Sequence, residues 1–347
     1  MQETFTSASA PELAVIERNG FIESRHSGAA VVMAPNGDIL HALGDIDTPI
    51  FARSTLKPFQ AIASMRVGAQ LSGVTVALAC ASHVAQIEHM DVVEDMLSAS
   101  GLTTADLQCP LDWPQDEDAR NYLVRKDMGK QRIAYNCSGK HAAFLAACVK
   151  NNWPTIDYLA MDHPLKRKVA EVIEEFTEEN ITHWGIDGCG APLAAVSLRG
   201  LANATRKLAL APRALSADAR AATVARAMLD YPWAVHGRGR ENTVVMEQLG
   251  VIAKGGAEGV LILGAPDGTS VALKMLDGAH RATSLVGLAL LVAVGAIDSA
   301  KASAVLEQVV PKILGGGVPV GRILLAPAVT DLLDAASKRT PVPHAQG

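Results

Sequence analysis

Ser54 and Lys57 stand three residues apart in the run Arg53-Ser54-Thr55-Leu56-Lys57-Pro58. On a helix, side chains at i and i+3 share a face, so the Lys57 amine can reach the Ser54 hydroxyl. A serine hydroxyl attacks a carbonyl carbon only when a base takes its proton. A lysine serves as that base once burial or a nearby cation lowers its pKa. Pro58 is tolerated in the first turn of a helix, and apolar residues follow at helical spacing over 59–67. Ser54 is therefore expected near a helix N-terminus, whose positive end favours a developing oxyanion. The same spacing also describes a cap followed by a solvated lysine, and it is common by chance. Two further runs supply context: Cys80-Ala81-Ser82-His83, after a buried segment, and Ala253-Lys254-Gly255-Gly256-Ala257-Glu258-Gly259, which leads into a strand.

A second group is Cys137, Lys140 and Cys189. Thiolates there could hold a soft divalent cation, with Lys140 as a neutral-amine ligand and Asp187 close by. Neither cysteine belongs to a C-x-x-C pair, and spacing alone favours two buried cysteines acting as small hydrophobes. A Cys137 nucleophile with His141 as base is a third reading. An amino-acid substrate also needs a cation for its carboxylate and an acid for its ammonium. Arg53 and Arg240 are the candidates for the first, Asp187 and Glu23 for the second, with His83 beside the second serine. Ser24, His26, Asn242 and His163 are further polar candidates.

The elements that must position these groups can be read from periodicity and turn residues. Runs 13–18, 29–33 and 39–43 read as an antiparallel meander with turns at Asn19-Gly20 and Asn36-Gly37-Asp38. Run 74–80 is a strand or a buried helix. Helices are expected over 87–98, 142–149, 164–176, from 193, and over about 216–229, with loops at 109–118 and 236–240. The stretch 184–192 is a glycine-rich turn. Strands 259–263 and 271–275 flank a Pro266-Asp267-Gly268 hairpin, and helix 283–296 closes the unit. Strands at both chain ends and helices between them predict an α+β fold: one antiparallel sheet drawn from both ends, with a mainly helical middle. The expected organisation is a flexible segment 1–12, a single catalytic domain over 13–338 with a helical subregion at about 84–235, and a flexible tail 339–347.

Composition narrows the function classes. Hydrophobic residues make up 49% of the 347, enough for a large core, and the formal net charge is -5. No basic stripe with interleaved aromatics exists, so nucleic acid is not an expected partner. The acidic balance gives no attraction to anionic lipid, and the longest apolar run, 285–297, is too short to span a bilayer. The start is polar and lacks the parts of a signal peptide, and the five cysteines are an odd number. Both point to a reducing, cytoplasmic setting and a small-molecule partner.

Three Ser/Lys pieces in this order, S-x-x-K, a second serine, then Lys-x-Gly beside a strand, are also the order in penicillin-recognising serine enzymes. The full set, Ala52-Arg53-Ser54-x-x-Lys57-Pro58, Cys80-Ala81-Ser82-His83, Asn136-Cys137-Ser138-Gly139-Lys140-His141 and Gly185-x-Asp187-Gly188-Cys189, resembles the asparaginase II family of rhizobial type. The resemblance runs over roughly residues 13–330. It implies a fold like that of serine β-lactamases and penicillin-binding proteins, hydrolysis of L-asparagine to aspartate and ammonia, and two pairs, Ser54 with Lys57 and Ser82 with Lys254. It also implies a zinc ion (Zn2+) held by Cys137, Lys140 and Cys189, which reverses the reading from spacing, and a homodimer. The alternatives are a related serine amidase or glutaminase, and a non-catalytic amino-acid-binding protein.

Overall fold

The computed structural model describes residues 3–214 and 217–338. The expected tail at 339–347 and the helix start at 216 lie outside the described residues.

β1 (Glu12–Arg18) and β2 (Phe21–Met33) form a hairpin across Asn19-Gly20, and β3 (Ile39–Leu43) returns along the second half of β2. The apolar run 29–33 is thus the end of a 13-residue strand. Its first half is half-exposed and polar, so only the part covered on both faces reads as continuous hydrophobic sequence. β4 (Ile50–Phe51) and a hairpin much later in the chain, β5 (His183–Ile186) and β6 (Pro192–Val196), make a small three-stranded sheet in the order β4-β6-β5. The remaining strands are β7 (Ile252–Gly256), β8 (Val260–Gly264), β9 (Ser270–Met275), β10 (Ile313–Gly315) and β11 (Val318–Leu325). The main sheet has eight strands in the order β10-β11-β1-β2-β9-β8-β7, with β3 also on β2, and its pairings are antiparallel. The chain is therefore an α+β protein with a sheet drawn from both ends and a mainly helical middle.

Strand alternation decides which residues meet the helical middle. Leu261 and Leu263 of β8 and Leu273 of β9 face the almost wholly buried helix Thr283–Ala293, where Gly287 packs on them. The intervening residues face the other way, and Gly264 meets Thr205 and Ala209 of the helix Leu198–Leu210. Lys254 pairs with Ile262 and so shares that second face. The helix Leu198–Leu210 lies on it, and behind that helix Lys57–Arg66, Val74–Ala79, Ile87–Ser98, Ser138–Lys150 and Pro164–Thr177 pack against one another.

Three local expectations change, and one open reading, strand or buried helix at 74–80, resolves to helix. Residues 192–196 form β6, and the helix starts only at Leu198, where the Ser197 hydroxyl accepts from the Gly200 N–H. A short apolar run such as Leu193-Ala194-Ala195-Val196 has no distinguishing period, and the cap at Ser197 sets the boundary. Residues 74–79 are helical. The helix Glu117–Arg125 rises inside a stretch whose prolines suggested loop; Asp116 caps it by accepting from the Ala119 N–H, and Glu117 and Asp118 complement its N-terminus. Finally, Phe5 is buried in the core, so the described part of the first twelve residues is anchored. No helix among the described residues is long and apolar enough to cross a membrane.

Candidate active site

Ser82 lies on an extended segment held by backbone bonds from both sides. Its N–H donates to the Val235 carbonyl, the His83 N–H to Asn136, and the Val84 N–H to His236. Two lysine amines converge on the fixed hydroxyl: Lys57 Nζ at 2.9 Å and Lys254 Nζ at 2.8 Å. Lys57 Nζ also donates to the Ala81 carbonyl at 2.6 Å, and Lys254 Nζ to that of Gly255 at 2.7 Å. Both side chains are buried, at 2% and 0% exposure.

Burial pulls the Lys57 pKa below that of a free lysine, against the raising pull of Cys137. Burial and then the neighbouring Lys57 charge push Lys254 well below it. Two ammonium groups on one hydroxyl would repel strongly in this low-dielectric setting, so one amine is held neutral. Ser82 can then accept from the charged lysine and donate to the neutral one.

Ser54 arrives by another route. The β4–β6 pairing, Ile50 to Val196 and Phe51 to Ala195, delivers the chain into a 3-10 turn, Arg53–Leu56, continuous with the helix Lys57–Arg66. Ser54 is thus in the first turn, as its sequence context predicts. The i, i+3 spacing does bring Lys57 to the same neighbourhood, but its amine bonds to Ser82, and the Ser54 hydroxyl makes no hydrogen bond among the described residues. Gly256 lies two residues beyond Lys254 on the same face of β7, against the Ser54 backbone. A Cβ there would stand 3.0 Å from the Ala52 carbonyl oxygen and 3.2 Å from the Ser54 nitrogen. Gly256→Ala is therefore expected to push the helix head by a few tenths of an ångström and lower kcat about tenfold, since rates depend steeply on alignment. Steady-state kinetics alongside an unchanged thermal melt check this.

Ser54 and Ser82 both line a cavity of about 570 Å³, together with Asn136, His236, Arg240, Glu241, Asn242, Gly255, Gly256, His280 and Arg281. Burial holds His236 neutral, its pKa lowered to about 3. Arg240 opens onto this space and its side chain makes no hydrogen bond among the described residues. Arg53 does not line it. Its Nε and Nη2 both reach Asp187 Oδ1 at 3.0 Å, with Glu258 at 3.8 Å. Arg53 has φ 54°, a left-handed conformation that costs a non-glycine residue about 1–2 kcal/mol. The fork to Asp187 holds it there, immediately before Ser54. Glu23 is paired with Arg18 at 3.0 Å near the surface, away from the cavity. His83 is buried: Nε2 donates to Ser138 Oγ at 2.9 Å, and Nδ1 accepts from the Ala85 N–H at 3.1 Å. Its pKa is pushed well down by burial, so it stands as a neutral brace between the Ser82 segment and the Ser138 helix.

That helix, Ser138–Lys150, starts with the Cys-Ser-Gly-Lys-His motif. Gly139 is required by close packing: a Cβ would lie 2.4 Å from the Leu78 carbonyl oxygen. The packing sets Lys140 and His141 beside Cys189, which the β5–β6 turn presents from the small sheet. Lys140 Nζ is 3.0 Å from Cys189 Sγ, and Asp187 Oδ2 is 3.9 Å from it. Cys137, His141 and Cys189 are all buried, and their ligand atoms lie within 4.8 Å of one another. The Cys137 hydrogen bond, helped by Lys140 and His141, lowers the Cys189 pKa far enough to make it a thiolate, while burial pushes Cys137 well up. For Lys140, burial opposes its charge but the two cysteines outweigh burial and raise it. His141 Nδ1 meets the Tyr158 hydroxyl at 2.6 Å, whereas Nε2 is buried with no hydrogen-bond partner among the described residues. The i+4 spacing of Cys137 and His141 carried that signal.

A lysine-flanked serine at a cavity, with a second serine at a helix head, defines an amidohydrolase of the serine–lysine type. Residues 14–325 match the L-asparaginase II family, and the chain belongs to that family. Among solved structures, a beta-lactamase from Mycobacterium bovis is similar, with 14% identity over 81% of this chain and 94% of that one, and a TM-score of 0.39. Mglu in its native form shows 15% identity over 76% of this chain, at a TM-score of 0.37, and this chain spans 59% of its length. The L-glutamate binding form of Mglu shows 14% identity, with 76% and 60% covered and a TM-score of 0.35. No curated protein matches the sequence.

Proposed function

We propose that the chain hydrolyses L-asparagine to L-aspartate and ammonia through a serine ester. The observation that carries this is the pair of buried lysine amines on one serine hydroxyl, opening on a cavity shared with Ser54. Ser54 Oγ attacks the side-chain amide carbon. Its proton passes to the neutral amine of the Lys57–Ser82–Lys254 group, and the same group returns a proton to the leaving nitrogen as the C–N bond breaks. The oxyanion forms beside the Ser54 N–H, one of the first-turn donors that a helix leaves unpaired. Water then cleaves the β-aspartyl ester, with the lysine group acting again as base. The cavity cations meet the substrate carboxylate and Glu241 its ammonium. The Arg53–Asp187 pair steadies the backbone ahead of Ser54.

A second reading has Ser82 as the nucleophile, because it alone is hydrogen-bonded to the amines. Acid quenching during turnover, followed by peptide mass analysis, separates the two: the ester is expected on the peptide carrying Ser54. Ammonia release from asparagine and from glutamine tests the substrate.

The cysteine cluster suits a soft divalent cation. A thiolate, a second sulfur and an unpartnered buried imidazole nitrogen form a zinc donor set, with Tyr158 orienting the imidazole from behind. Cys137, Cys189 and His141 would hold zinc, with Lys140 joining them where the metal displaces its proton, and the ion would supply a fixed positive centre close to the Arg53–Asp187 pair. Purified protein is expected to carry about one zinc per chain, as structural and catalytic sites of this composition do. Elemental analysis is expected to show it lost from Cys189→Ala.

A further inference from the structure

Arg281 was not among the residues singled out by motif or spacing, yet it lines the same cavity as Ser54 and Ser82. It sits in the loop between β9 and the helix Thr283–Ala293, and its guanidinium is held on one edge. Nε donates to His26 Nε2 at 2.9 Å, and Nη2 donates to Ser24 Oγ at 2.8 Å. Ser24 and His26 are two apart on β2 and so present the same face to it. His26 is 1% exposed, and its Nδ1 lies 2.6 Å from Asp277 Oδ2. A carboxylate only accepts, so Nδ1 carries the proton, and Nε2 is left with the lone pair that receives Arg281 Nε–H. The other Asp277 oxygen, Oδ1, accepts from the Ala279 N–H at 3.0 Å, which ties the carboxylate to the loop bearing Arg281.

This arrangement uses the Nε/Nη2 edge and leaves the Nη1/Nη2 edge with no acceptor among the described residues. That free edge is the fork that binds a carboxylate with two parallel hydrogen bonds. Arg240, the other arginine on the cavity, makes no comparable bonds, so binding through it would have to order a long side chain first. We propose that Arg281 is the residue that binds the substrate's α-carboxylate, and that Asp277 and His26 position it by fixing the imidazole tautomer. The proposal rests on the amidohydrolase reading above and deepens it: it makes a free carboxylate part of what the site selects.

The test uses Arg281→Met, Arg281→Lys and His26→Leu in the full chain. Losing a charged bidentate contact is expected to raise KM for L-asparagine by about 10²-fold in Arg281→Met. The inhibition constant of L-aspartate is expected to rise by the same factor, with kcat falling less than about threefold, because the contact is made equally in ground and transition states. Arg281→Lys is expected to recover only part of the loss, since an ammonium lacks the planar fork. His26→Leu is expected to raise KM about tenfold with kcat retained, as befits a residue acting through another. An unchanged KM and aspartate inhibition in Arg281→Met, or a fall confined to kcat, overturns the proposal. If the wild-type chain releases no ammonia from asparagine, the functional reading falls separately. Calorimetry with L-aspartate then decides: binding by wild type and none by Arg281→Met supports the role of Arg281, while equal binding, or none by either, overturns it.

Discussion

Ser54→Ala is expected to lower kcat/KM for asparagine by about 10⁴-fold, as loss of a nucleophile does in other serine hydrolases. The thermal midpoint is expected to stay put, because the lost hydroxyl makes no hydrogen bond among the described residues and the residue is not fully buried. The size of the effect follows from the site's division of labour. Ser82 is fixed by its backbone and bonded to both amines, so it is built to pass protons. Ser54 is free to approach a carbonyl, and it lies in the first turn of a helix that no side chain caps. Ser82→Ala leaves a nucleophile and a helix end but breaks the proton path, and a loss of about 10²–10³-fold is expected, the usual worth of a general acid–base. Steady-state assays of the two variants measure the contrast. A Ser54→Ala enzyme retaining more than a hundredth of wild-type activity would transfer the nucleophile's role to Ser82.

Lys254→Arg is expected to abolish measurable turnover, a drop of about 10³-fold or more, while Lys254→Met does the same and also stabilises the fold. Arginine keeps its proton at any working pH, so it cannot serve as the neutral partner of Ser82. Methionine fills the space without a charge. The pH dependence follows from burial. In the folded chain the Lys254 pKa is held well below 10.5, its value when unhindered. Between the lowered pKa and 10.5 the unfolded chain binds a proton that the folded chain does not, so stability rises with pH across that window. The penalty is complete below the folded pKa and absent above 10.5. Stabilisation by Lys254→Met is therefore expected to be greatest in acid and to vanish in strong alkali. For the wild type, activity is expected to rise with pH as the neutral amine forms, at a pH well below that of an ordinary lysine. Denaturant melts at several pH values and a kcat/KM profile check both. An acidic limb unchanged in Lys57→Met or Lys254→Met variants with residual activity would remove the lysines from the proton path.

The chemistry-bearing residues were legible where local spacing alone joins them. Ser54 and Lys57 share one helical turn, and Cys137, Lys140 and His141 another, so their proximity is a property of the helix. Strand runs with both faces covered, such as β8, announced themselves by unbroken apolar sequence. The polar half of β2 did not, nor did the four residues of β6 after Pro192, whose length and composition suit either a strand or a helix.

What spacing did not disclose were contacts between distant segments. Lys57 bonds across 25 positions to Ser82, and Lys254 reaches the same hydroxyl across 172. Arg281 is aimed by residues 255 and 257 positions earlier. In each case the direction of a side chain depends on sheet register and on what lies opposite it. The sequence by itself determined the residue types, the helical and strand periods, and the acidic composition. Only the tertiary structure decided that both lysines serve one serine, that Glu23 and His83 are spent on other partners, and that the small sheet carries Cys189 to Lys140. Backbone periodicity is a short-range property of the chain, whereas burial, and with it the pKa of an amine or thiol, comes from atoms that only folding brings together.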